Sequence, residues 1–153
     1  MPHNQRLMIA LIQRVSRAEV LVGGEVAGAI GHGILALIGV QRSDTQSAAD
    51  RLLERLLSYR VFPDVAGRMN LSVREARGGV LLVPQFTLAA DTSKGTRAGF
   101  SIAAAPADAQ RLFTYLLEQA RRVYAPVSAG VFAAHMQVSL VNEGPVTFWL
   151  ETH

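Results

Sequence analysis

The sequence predicts one α/β domain, a strand-dominated and barrel-like sheet with two amphipathic helices packed on it. Three observations carry this. A chain of 153 residues suits one domain, since domains usually run to roughly 100–200 residues. Short β-prone runs broken by glycine-containing turns fill both ends of the chain. Two longer segments instead repeat their apolar residues with helical period.

The elements follow in order. Met8–Arg14 (MIALIQR) and Ala18–Val22 are short apolar runs, and Gly23-Gly24 is a hairpin signal. Glu25–Ile30 alternates in part, Gly31-His32-Gly33 makes a second turn, and Ile34–Val40 (ILALIGV) reads as a buried strand. Four strands in close succession predict an antiparallel meander. Over Asp44–Tyr59, Ala48, Ala49, Leu52, Leu53, Leu56 and Leu57 share one helical face, and Asp50, Arg51, Glu54 and Arg55 share the other. Loops are expected at Pro63-Asp64, Gly67 and Gly78-Gly79. Val80–Leu88 (VLLVPQFTL) is strand-like, but Pro84 has no N–H to give a ladder, so pairing should stop there or the segment should lie at an edge. Ala89–Ser101 is a polar, glycine-containing loop of the kind that carries function. Pro106 opens the second helix, which runs to about Val123 with Leu112, Phe113, Leu116, Leu117 and Ala120 on one face. Strands are expected around Met136–Val141 and Val146–Glu151, with a Gly144-Pro145 turn between them. The domain is expected over 8–152, and the first seven residues read as an N-terminal extension.

Composition narrows the chemistry. With 50% hydrophobic residues the chain can build a real core and does not read as disordered. It has no cysteine, which removes disulfide and thiolate chemistry and makes a reducing cytoplasm the natural home. No apolar stretch approaches the ~20 residues needed to span a bilayer, and the first residues do not form a signal peptide. The net charge of +3 permits contact with a polyanion without demonstrating it.

Most chemical motifs are missing. Gly31-His32-Gly33-Ile34 loosely matches a dinucleotide fingerprint, yet a strand rather than a helix follows it. His3, His32, His135 and His153 are dispersed, so no metal site is expected. Thr87 could serve as a nucleophile only with an adjacent base, and its neighbourhood in sequence supplies none. Asp91 and Glu143 read as turn or solvent-facing carboxylates. What stands out is Gln85-Phe86-Thr87 after the interrupted strand, and Asn142-Glu143-Gly144-Pro145-Val146-Thr147 near the end.

On those two motifs the chain resembles the bacterial D-aminoacyl-tRNA deacylase family, from Met8 to Thr152. The stretches Ile9–Val15 and Gln137–Val141 are also similar to it. The resemblance implies a homodimer with active sites at the subunit interface and a tRNA esterified with a D-amino acid as substrate. It implies that glycyl-tRNA is accepted too, and that the ribose 2′-hydroxyl assists the chemistry with no cofactor. By the same resemblance, Gly144 and Pro145 form a cis dipeptide that reads chirality, and Gln85, Phe86 and Thr87 line the catalytic pocket. Arg14 is expected to fix the Gly-Pro loop or the substrate. Lys94 and Arg97 are candidate phosphate contacts that equally read as solvated loop charges.

Two departures from the family pattern are visible. Pro84 replaces a serine, and Arg97-Ala98-Gly99-Phe100 stands where Arg-Pro-Ser-Phe is usual. The Pro84 change leaves a non-catalytic tRNA-binding dimer as an alternative, beside an esterase using Thr87 as its nucleophile.

Overall fold

The computed structural model describes residues 8–152; the expected N-terminal extension lies outside the described residues. The two apolar runs at the start are one strand, β1 (Ile9–Val22). After the Gly23-Gly24 turn, β2 (Glu25–Ile30) and β3 (Gly33–Gly39) run back along it. β2 pairs with residues 18–22 of β1 and β3 with residues 9–15, both antiparallel. The expected meander is therefore a long hairpin whose return arm breaks at Gly31-His32. Local runs suggest strands, but not that two successive strands share one partner.

Helix α1 (Gln46–Ser58) is capped by Thr45, whose hydroxyl accepts from the Ala48 N–H at 3.2 Å, and buries the six predicted apolar positions. A small hairpin follows, β4 (Phe62–Pro63) with β5 (Met69–Leu71). Next comes a third helix beyond the two expected, α2 (Val73–Ala76). Its signal was Ser72-Val73-Arg74-Glu75, a reciprocal capping box in which Ser72 and Glu75 bond each other's backbone N–H. It is too short to show helical periodicity.

Strand β6 (Gly79–Pro84) lies parallel to β3 and, on its other side, to β7 (Val127–Ala129), a strand the sequence reading missed. Proline is tolerated in this inner strand for a geometric reason. The N–H groups of Gly79 and Gln85 bond β3, while that of Val80 bonds toward β7. Position 84 shares the parity of Val80, and β7 has ended by then. Pro84 costs no ladder bond, and pairing stops beside it.

Helix α3 (Pro106–Val123) matches its expected bounds, with Pro106 in its first turn. It packs beside α1 on one sheet face. There Ile12, Ile34, Ala36, Ile38 and Leu82 meet Leu52, Leu56, Leu112 and Leu116. The opposite face buries Val15, Val20, Leu35, Leu81 and Val83 in a second cluster. Burial on both faces explains why β3 and β6 read as continuous apolar runs rather than alternating ones.

The chain ends in β8 (Gln137–Glu151), which pairs antiparallel with β1 along almost its whole length. The sheet nearly closes, because β7 reaches back to β2. Ser128 Oγ donates to the Ala29 carbonyl at 3.1 Å, and a Cβ at Gly28 would stand 2.5 Å from the Ala129 carbonyl oxygen. Only glycine permits that approach.

Candidate active site

β8 is one strand, not the two expected, and Gly144-Pro145 is a bulge within it. Residues Gln13 and Val15 of β1 pair with Thr147 and Asn142, so residues 143–146 bow out opposite Arg14 alone. Asn142 closes the neck. Its amide donates to Thr147 Oγ1 at 2.8 Å, and its side-chain oxygen accepts from the Val146 N–H at 2.9 Å. The half-buried Arg14 then ties the bulge down. Its Nε donates to the Glu143 carbonyl at 3.0 Å and its Nη1 to the Val61 carbonyl at 2.7 Å. The Gly144-Pro145 peptide is cis, and Gly144 has φ +134°. A Cβ there would meet Val146 Cγ2 at 2.7 Å and Arg14 Nη2 at 3.1 Å. The result is an exposed, side-chain-poor ridge of main chain held by three polar side chains.

The second motif lies past the end of β6. The Gln85 N–H bonds the Ile38 carbonyl at 2.8 Å, and Phe86–Ala89 then forms one 3-10 turn. Gln85 Nε2 donates to Thr87 Oγ1. The partner of the Thr87 hydroxyl in that bond is an amide, not a base of the kind that covalent attack requires. The first N–H groups of such a turn have no partner within it. Exposed Phe86 packs against Phe100 with ring centroids 5.5 Å apart. Beneath lies a small apolar hollow of about 20 Å³ between Pro84–Phe86 and Ala109, Phe113 and Phe132. Beyond the turn opens a cleft of about 630 Å³, bounded by residues 41–43, 90–93 and 101–102.

The structure thus brings Arg14, Gly144 and Pro145 together, and Gln85, Phe86 and Thr87 together, but keeps the two groups apart. They sit three strand positions from each other, in the order β8, β1, β3, β6, which is roughly 14 Å across the sheet. Asn142, Thr147 and Phe100 were visible only as letters of the quoted motifs; Val61, which contributes a backbone carbonyl, left no trace in sequence.

Other chemistry is sparse. Among the described residues no cluster of three or more His, Asp or Glu could hold a metal ion, and no helix is long and apolar enough to cross a membrane. One carboxyl is displaced in pKa near the large cleft. Burial pushes Asp44 up to about 7, against the opposing effect of the Gln41 N–H that it accepts at 2.6 Å.

Comparison with known proteins closes the question of kinship. The family model described as D-Tyr-tRNA(Tyr) deacylase matches residues 11–151. A "D-aminoacyl-tRNA deacylase" of Thioalkalivibrio sulfidiphilus is 65% identical over 144 residues, 94% of this chain and 97% of that one. A solved structure named "c-Myc DNA Unwinding Element Binding Protein" superimposes with TM-score 0.90 at 40% identity, covering 95% of this chain and 99% of its own. The fold also matches a probable eukaryotic D-amino acid tRNA deacylase, with TM-score 0.82 at 16% identity over 94% of this chain and 98% of the other. The chain belongs to the D-Tyr-tRNA(Tyr) deacylase family.

Proposed function

We propose that this protein hydrolyses the ester bond of D-aminoacyl-tRNA, and of glycyl-tRNA, to free amino acid and tRNA. The observation that carries this reading is the clamped main-chain ridge at Gly144-Pro145. Set beside a substrate Cα, such a ridge leaves no room for an L side chain, whereas a D side chain points away from it. Discrimination then comes from a clash rather than from recognition of the side chain. It follows that side-chain identity matters little and that glycine is not rejected. A hundredfold preference requires only about 2.7 kcal/mol.

In this reading Gln85, Phe86 and Thr87 line the pocket for the ester and the terminal adenosine. Backbone N–H groups of their turn stabilise the developing oxyanion, and the tRNA's own 2′-hydroxyl assists in place of a side-chain nucleophile. Arg14 acts on the substrate only through the ridge. No cofactor is required, and the cytoplasm, where aminoacyl-tRNA is used, is the proposed location.

The working unit we propose is a homodimer, in which the ridge of one subunit enters the pocket of its partner. Two features support it. The two motifs lie three strand positions apart in one chain, so a ridge brought in by a second copy can face the 85–87 turn directly. β8 pairs only with β1 among the described residues, and it exposes Val141 and Trp149 at 37% and 49%, an open apolar edge of the kind that proteins usually cover.

The test is to incubate purified protein with D-tyrosyl-tRNA and L-tyrosyl-tRNA. The D ester should disappear while the L ester persists at the buffer rate. Equal persistence of both would leave the non-catalytic tRNA-binding dimer. Near-complete loss in Thr87→Ala, with an acyl-enzyme trapped by the parent protein, would instead establish the nucleophilic esterase.

A further inference from the structure

We propose that the cleft between the 41–44 turn and the 90–102 loop holds the sugar-phosphate backbone of the single-stranded acceptor end, the nucleotides just ahead of the esterified adenosine. This rests on the function proposed above and adds a separate binding site to it. Position is the first argument. Ala90 caps the 3-10 turn that carries Gln85, Phe86 and Thr87 and also lines the cleft, so the cleft begins where the proposed catalytic turn ends. At about 630 Å³ it falls in the size range of ligand clefts.

Chemistry is the second. The cleft is lined by Arg42 with Ser43, Thr92 and Ser101, residues whose side-chain donors commonly bind phosphate oxygens. Thr92 is shared with an adjoining hollow of about 280 Å³ that Arg97 lines, and Lys94 lies on the same exposed loop. Neither the Arg74–Glu54 nor the Arg111–Asp108 ion pair engages any of these three cations. One carboxylate also borders the cleft. Asp91 accepts from the Ser93 N–H at 3.0 Å and Ser93 Oγ at 2.6 Å, and its charge directs an anionic backbone toward the Arg42 and Arg97 sides.

The third is the aromatic pair at the junction. Phe86 and Phe100 are 63% and 43% exposed, and Ser101, next to Phe100, lines the cleft. Cationic grooves interleaved with exposed aromatic rings suit single strands, whose unpaired bases can stack.

The test compares two substrates, full D-tyrosyl-tRNA and the isolated ester 3′-O-D-tyrosyl-adenosine, which lacks the upstream backbone. For Arg42→Ala/Arg97→Ala, kcat/KM on tRNA should fall tenfold or more at low salt, mostly through KM. The salt slope of tRNA binding should become shallower by about 1.4, at ~0.7 per single-strand phosphate contact. Hydrolysis of the adenosine ester should stay at the parent rate, which also shows that the variant folds. An equal loss on both substrates, or no loss on tRNA, would overturn the proposal. If the parent protein hydrolyses neither ester, the proposed activity fails. The cleft is then judged by binding of labelled uncharged tRNA: weaker binding and a shallower salt slope in the double variant sustain it, and an unchanged isotherm overturns it.

Discussion

At Gly144 the constraint is a matter of tenths of an ångström. An added methyl would lie 2.7 Å from Val146 Cγ2 and 3.1 Å from Arg14 Nη2, at a φ of +134° that L side chains rarely adopt. Gly144→Ala should therefore move the ridge. We expect discrimination between D- and L-tyrosyl-tRNA to fall at least tenfold, measured as the ratio of deacylation rates; an unchanged ratio would show that the ridge does not read chirality. Asp44 offers an independent test of a buried charge. Its folded pKa of about 7 stands above the ordinary 3.8, so the folded state holds this proton more tightly than the unfolded chain does. The stabilisation is complete below about pH 4 and is lost as pH rises through 7. Asp44→Asn keeps an acceptor for the Gln41 N–H and removes the charge. It should stabilise the protein by roughly 2 kcal/mol at pH 8, after allowance for solvent screening, with the gain shrinking toward pH 5 in urea titrations. A pH-independent difference would contradict the assignment. Neither the Asp44 shift nor the Val61 carbonyl under Arg14 is written locally in sequence, because both arise from segments that meet only after folding.

At the scale of elements, α1 and α3 were legible because each carries its own amphipathic period, and α3 even carries its starting proline. The strands were legible as strands, but their pairing was not. The Gly144 bulge shows why. It depends on a mismatch between β1 and β8, and its main tether joins residues 129 positions apart. Sequence alone therefore showed a Gly-Pro between two strands and suggested a turn. Within the bulge, Asn142 does the closing, with one hydrogen bond accepted and one donated. Asn142→Ala should cost about 1–3 kcal/mol of stability, from two hydrogen bonds with net values near 0.5–1.5 kcal/mol each. It should also relax chiral discrimination more than it slows hydrolysis of the D ester. Asn142→Asp should recover part of the discrimination, since a carboxylate still accepts from the Val146 N–H and can accept from the Thr147 hydroxyl. Full discrimination in Asn142→Ala would mean that Arg14 alone holds the ridge.

For the whole molecule, the separation of the two motifs is the feature with the largest consequence. If each pocket is completed by the partner's ridge, damage to the two motifs must complement in a mixed dimer. Take one subunit altered at Gly144 and another altered at Gln85-Phe86-Thr87. A hybrid of the two contains one site with both motifs intact and one with both altered. Each homodimer should be defective in its own way, the first in chiral selection and the second in rate. A tagged and purified hybrid should regain about half the parental rate on D-tyrosyl-tRNA, from its one intact site, while leaving the L ester untouched. Sites completed within single chains would behave otherwise, because every site in the hybrid would carry one altered motif. The hybrid would then show the average of the two homodimers: impaired hydrolysis from one kind of site and loss of L rejection from the other.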